Sequence, residues 1–141
     1  MIRIVLDQNT LRQSKSGSVT AVIYFDFGFG RQFPSADWDD FVVVIISWWM
    51  AALNELMHGS DEVCLHFMDG PYEIRASVQG ANVVLCCVRQ RVDAEESYEV
   101  IVGLEELRRE LMTAAGKLSS ACSRANIQAP ELSEIRKHMP N

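Results

Sequence analysis

Four cysteines and three histidines are the side chains here best suited to chemistry. Cys64 and His66 stand two apart, which on a strand puts both on one face, within reach of Cys86 or Cys87 from a neighbouring strand. No Cys-x-x-Cys pair and no His-Glu-x-x-His helix accompanies them. Packed thiols among Val and Leu are therefore expected, not a metal site. Nucleophilic catalysis finds no Gly-x-Ser-x-Gly elbow, and none of His58, His66 or His138 sits in a motif. Gly28-Phe29-Gly30 opens like a dinucleotide fingerprint, but Phe33 occupies the place of its third glycine and Pro34 follows. The glycines are read as turn formers. Asp37, Asp39 and Asp40 form a carboxylate cluster able to hold magnesium, although acids crowding a helix start are usually caps and dipole partners. No enzymatic activity, cofactor or metal is expected.

The elements that must carry these residues follow from periodicity. Residues 1–6 and 18–27 read as strands; in the second, Val19, Ala21, Ile23, Phe25 and Phe27 alternate with Thr20, Val22, Tyr24 and Asp26. The polar segment Asp7–Gly17 between them reads as a loop. Asp37 is expected to cap a helix running from Trp38 to His58 and stopping at Gly59. That helix is apolar on nearly every face as far as Leu53, so it should be largely covered. Strands at Glu62–Met68 and Tyr72–Gln79 flank the hairpin signal Asp69-Gly70, with Glu73, Arg75, Ser77 and Gln79 on a wet face. Two more strands follow at Val83–Arg91 and Tyr98–Val102, with Asp93–Ser97 as the turn between them. Apolar residues then recur at three- and four-residue steps from Leu104 to Ala125, the clearest helical signal, and Pro130 opens a short helix over Glu131–His138.

The expected fold is a single α+β domain over residues 1–141. It has a mostly antiparallel sheet of about six strands, with two long helices packed on one face. The order is β-β-α-β-β-β-β-α with a short C-terminal helix. The composition agrees: 48% hydrophobic and 23% charged residues exclude a disordered chain. Three apolar residues between Arg3 and Asp7 do not make a signal sequence. The longest apolar stretch, Phe41–Leu53, falls short of the roughly 20 residues that span a bilayer. A cytoplasmic protein with free thiols and no membrane partner is expected.

The net charge of −6 argues against nucleic acid as ligand. It is also unevenly distributed. Successive segments carry +2 up to Phe25, −8 from Asp26 to Glu73, +3 to Val92, −5 from Asp93 to Glu110 and +2 thereafter. Such segregation suits a basic partner, whose approach it would steer.

The stretch Phe33-Pro34-x-x-x-Trp38-x-Asp40-Phe41, followed after six residues by Trp48-Trp49, resembles small bacterial immunity proteins of contact-dependent growth inhibition and polymorphic toxin systems. The hairpin Leu65-His66-Phe67-Met68-Asp69-Gly70-Pro71-Tyr72 fits the same resemblance, which covers about forty residues. It implies a protein that binds and neutralises one cognate toxin domain, many of which are nucleases with basic clefts. Acids in loops and on wet strand edges are then the candidate contacts: Asp61, Glu62 and Asp69 around one hairpin, Glu95, Glu96 and Glu99 around the next turn. Two other readings compete. One is a homo-oligomeric scaffold or regulatory domain joined through the apolar first helix. The other is a small-ligand protein with a pocket lined by Trp38, Trp48, Trp49 and Tyr72.

Overall fold

The computed structural model describes residues 2–139. Strand β2 (Val19–Asp26) alternates along its whole length, so Val19, Ala21, Ile23 and Phe25 form a buried wall. β1 (Arg3–Gln13) pairs antiparallel with it and adds Ile4 and Leu6 to that wall. Asp7–Gly17 is thus mostly strand, not loop. Its pairing breaks between Asp7 and Arg12 and resumes with Arg12 opposite Thr20. The polar side chains that masked the strand do local bonding: Thr10 Oγ1 accepts the Val22 N–H at 2.8 Å, and Arg12 pairs with Asp39. The turn itself is only Ser14–Gly17.

The other edge of β2 is taken by two short strands, β3 (Gln32–Phe33) and β4 (Asp39–Asp40). This corrects the expected helix start. Asp37 adopts a left-handed φ of 64°, and Trp38 to Asp40 run extended along β2, where the Trp38 carbonyl accepts the Ile23 N–H at 2.8 Å. Helix α1 (Val42–Met57) therefore begins four residues late, uncapped by Asp37 and with no acid in its first turn.

A second antiparallel sheet follows in sequence order: β5 (Glu62–His66), β6 (Tyr72–Gln79), β7 (Asn82–Gln90) and β8 (Glu95–Gly103). Instead of one sheet of about six strands there are two of four. The segment Gln32–Asp40 occupies the edge of β2 that β5 would have needed, so strand pairing must start afresh after α1. Helix α1 sits where the sheets meet, against β2, β5 and both later helices. Nine of its residues are buried, Trp49 among them at 0% exposure, so the helix is largely covered within the chain, with Trp48 and Met57 left on the surface. An aromatic seam joins the sheets: Phe25 and Phe67 lie 5.2 and 5.3 Å from Trp49, and Phe33 lies 5.6 Å from Tyr72 and 6.1 Å from Tyr98. Each such pair adds about 0.5–1.5 kcal/mol beyond its area burial.

Helix α2 (Leu104–Arg124) buries most of the stripe its periodicity predicts, Leu107, Leu111, Ala114, Ala115, Leu118, Ala121 and Cys122, while Leu104 is half-buried and Ala125, at the C-cap, is exposed. Its opposite duty is electrostatic. Glu106 and Glu110 accept the outward N–H groups of Ile2 and Ile4 at 3.1 and 3.0 Å, which closes the start of the free edge of β1. Helix α3 (Glu131–Lys137) buries Leu132 and Ile135 against α1 and α2. Replacing Glu110 with Ala leaves the Ile4 N–H without its acceptor and should cost about 1–2 kcal/mol in unfolding free energy. Glu110→Gln keeps an acceptor and should recover most of that loss; equal denaturation midpoints for the two variants would refute the edge-closing role.

Candidate functional site

The β5–β8 sheet has two faces of different character. Register fixes them, because residues opposite one another share a face. Leu65, Ile74, Ala76, Val83, Leu85, Cys87 and Val102 point into the common core. On the reverse side three rows cross the sheet: Glu62, Ser77, Val84, Ile101; then Cys64, Arg75, Cys86, Glu99; then His66, Glu73, Val88, Ser97. Gln90 and Glu95 add a further pair at the turn end. Val84 and Val88 are buried yet belong to no part of the continuous core, which marks this face as separate from it. Among Lys and Arg, only Arg75 lies here, against Glu62, Glu73, Glu95 and Glu99.

Arg75 organises the centre of the face. It reaches across β7 to grip Glu95 with both terminal nitrogens, at 3.2 and 3.1 Å, and its Nε contacts Glu73 at 3.3 Å. Val88 lies between the partners of Arg75 and Glu95 on β7, so the ion pair passes over it and accounts for its complete burial. Gln90 holds the second side of Glu95 at 3.1 Å. Cys64 Sγ donates to Glu73 at 3.1 Å and lies 3.7 Å from His66 Nδ1. Burial, then the bond to the Glu73 carboxylate, pushes the Cys64 thiol up to about 12. The bond from Cys64, with help from Arg75, holds Glu73 below the usual carboxylate range. Cys64 is thus a protonated hydrogen-bond donor at neutral pH and a poor nucleophile. All four cysteines are free thiols.

The six candidate acids are all exposed, but they do not form one patch. Glu62, Glu95 and Glu99 share the reverse face, and Asp61 precedes Glu62 at its edge. Glu96 points the other way, where it pairs with Arg91 at 2.6 Å. Asp69 lies in the β5–β6 turn, its N–H shared by both carboxylate oxygens of Asp40 at 3.3 Å. Neither Glu62 nor Glu99 is held in an ion pair among the described residues. Arg75 is the organising residue that segment charge counts do not reveal. Its alternation with Glu73 and Ser77 was the available signal, since it placed an arginine amid acids on a wet face.

The other candidate chemistry separates in space. Asp39 faces Arg12, Asp37 is exposed in a turn, and Asp40 points inward at 2% exposure, so the three aspartates do not converge. The tryptophan-lined pocket is also corrected. Trp49 is buried and donates to the His66 carbonyl at 2.8 Å, Trp38 packs on Tyr72 at 5.0 Å, and Trp48 lies elsewhere on the surface. Tyr72 instead lines a cleft of about 310 Å³ with Phe33, Pro34, Arg89, Glu96 and Tyr98. Arg89 stacks over Tyr72 and Arg31 over Tyr98, 5.8 and 4.9 Å from the ring centres. No protein-family model matches the chain, and searches of curated proteins and of solved structures find no match.

Asp40 holds the hairpin carrying Asp69 against the rest of the protein. Its carboxylate accepts from Trp38 Nε1 at 3.0 Å and Phe41 N–H at 2.7 Å as well as from Asp69. Gly70 completes the contact: at φ 73° any Cβ would meet the Trp38 ring at 2.7 Å. Burial raises the Asp40 carboxyl above its ordinary 3.8, and the three donors only partly offset this. The folded state then binds the proton more tightly than the unfolded chain, so stability from Asp40 falls as pH rises from 3.8 through the raised value. Asp40→Ala should lose about 3 kcal/mol, because three N–H groups lose their acceptor. Asp40→Asn should abolish the pH slope in urea titrations, and a slope equal to that of the parent would contradict the assignment.

Proposed function

We propose that this chain is an immunity-type binding protein that neutralises a basic, nuclease-type toxin domain, with the reverse face of β5–β8 as its docking surface. The observation that carries the reading is four carboxylates against one guanidinium on a sheet face that, among the described residues, no helix covers. An ordinary wet sheet face mixes charges of both signs, whereas this one is nearly of one sign. Glu62 and Glu99 stand three strand spacings apart across the sheet, about 14 Å, and one row apart along it, wide enough to meet several cations of one partner. Glu95 and Glu73 are pre-ordered by Arg75 and need little side-chain entropy on binding.

The electrostatic logic is complementary. Phosphate-seeking clefts carry Lys and Arg, and a carboxylate-rich surface attracts them from a distance and suppresses wrong partners. The resemblance around Phe33-Pro34 and Trp38 supports the biological setting, since its residues build the scaffold and leave the contact face free to vary with the toxin.

On this reading the gene lies beside one for a large secreted protein with a variable C-terminal domain, and that domain forms a complex with this chain. Reversing Glu62 and Glu99 to Lys should raise the complex Kd at least about tenfold and flatten its dependence on salt. Isothermal titration at two ionic strengths reads both effects. An unchanged Kd in the double variant would remove this face from the interface.

A further inference from the structure

β8 is the terminal strand of its sheet, paired with β7 over all its residues, and among the described residues no strand pairs with its other edge. The ladder's alternation decides which amides point there. At the turn, Arg91 N–H bonds Ala94 O at 2.8 Å; at the far end, Leu104 N–H bonds Ala81 O at 2.9 Å. Counting inward by twos from either end, Glu96, Tyr98, Val100 and Val102 exchange bonds with β7. The N–H groups of Glu95, Ser97, Glu99 and Ile101 therefore face outward. Gly103 N–H, next in that series, is accepted by Glu106 at 3.4 Å, which agrees with the count.

The other sheet edges are shorter or partly covered: Glu106 and Glu110 cap the start of β1, the two-residue strands within Gln32–Asp40 cover β2, and α1 packs against β5. β8 has no bulge, no proline and no lysine, and it displays Ile101 at 64% exposure. What it does carry is Glu95, Glu96 and Glu99. Against a second copy these would set like charges close together across the new ladder.

We propose that the open edge of β8 accepts an extended basic segment of the partner protein as a fifth strand of this sheet. The inference rests on the acidic-face reading and specifies how the partner docks. Backbone bonds to the four outward amides would supply affinity, and alternate side chains would supply specificity. On the reverse face a lysine or arginine would stand opposite Glu95 or Glu99. On the other face the guest's side chains would lie beside Tyr98, at the mouth of the aromatic cleft, which suits apolar residues. The recognised pattern is thus basic and apolar residues in alternation.

The probe is a short synthetic peptide alternating lysine with valine, with a glutamate–valine peptide as its counterpart. Amide exchange measured by NMR should slow about tenfold or more at Glu95, Ser97, Glu99 and Ile101 with the lysine peptide only. Ser97→Pro removes one outward N–H and no ladder bond. It should weaken binding about tenfold while leaving the exchange of β6 and β7 unchanged. If the lysine peptide binds, is lost in the Glu62→Lys, Glu99→Lys variant, yet leaves the four amides unprotected and ignores Ser97→Pro, edge docking fails and the acidic face stands. If that double variant binds the peptide as well as the parent does, or if neither binds it, the acidic face and the edge fail together. Protection of the same amides without peptide, in a chain that sediments as a dimer, would make a second copy the occupant and overturn the proposal.

Discussion

The carboxylate of Asp40 is the joint on which this architecture turns. It is the one buried charged side chain among the described residues, and it accepts three hydrogen bonds. Two of these partners, the Trp38 indole and the Phe41 amide at the start of α1, belong to its own segment, and the third is the β5–β6 turn, so the carboxylate ties two distant pieces of chain. Strand β4 fixes its position on the edge of β2. A buried acid is costly unless its lone pairs are filled, so the first sheet, the helix and the second sheet are held in one relative placement. Gly70 makes that placement tight, since the Trp38 ring fills the space where a side chain would stand.

That placement decides what remains outside. With α1 between the sheets and α2 along β1, the helices cover inner faces and one edge. Among the described residues, no helix or strand covers the reverse face of β5–β8 or the outer edge of β8. The continuous core forms without them, and packing there is limited to Val84 and to Val88 under the Arg75 and Glu95 pair. Glu73 and Glu95 are engaged with Cys64 and Arg75, whereas Glu62 and Glu99 have no ion-pair partner among the described residues and are left to face solvent or a partner.

Much of this was legible in the residues. The 2.0 period of β2 and β6 and the helical period of α2 report which side of each element is buried, because side-chain direction is local geometry. The α+β class and antiparallel pairing followed from short connections. Misreadings came where tertiary contacts overrode local preference. Asp37 looked like a helix cap, but β2 offered Trp38–Asp40 a strand edge and the helix waited until Val42. Asp7–Gln13 looked like a loop because its polar residues answer to Asp39 and β2, not to a core. Equally, of six candidate acids, Glu96 and Asp69 turned away from the face shared by Glu62, Glu95 and Glu99, since strand parity and the Asp40 contact dispose of them separately.

By itself the sequence determined most of the long elements, which of their faces are buried and the excess of acid in two stretches, because propensity, periodicity and charge are properties of neighbours along the chain. Only the tertiary structure decided that the strands form two sheets, that Glu62 and Glu99 share a surface with Arg75 between them, and that β8 is left open. Those facts depend on which edges are already filled when the chain returns to them. Edge occupancy is a relation between segments far apart in sequence, and no local pattern records it.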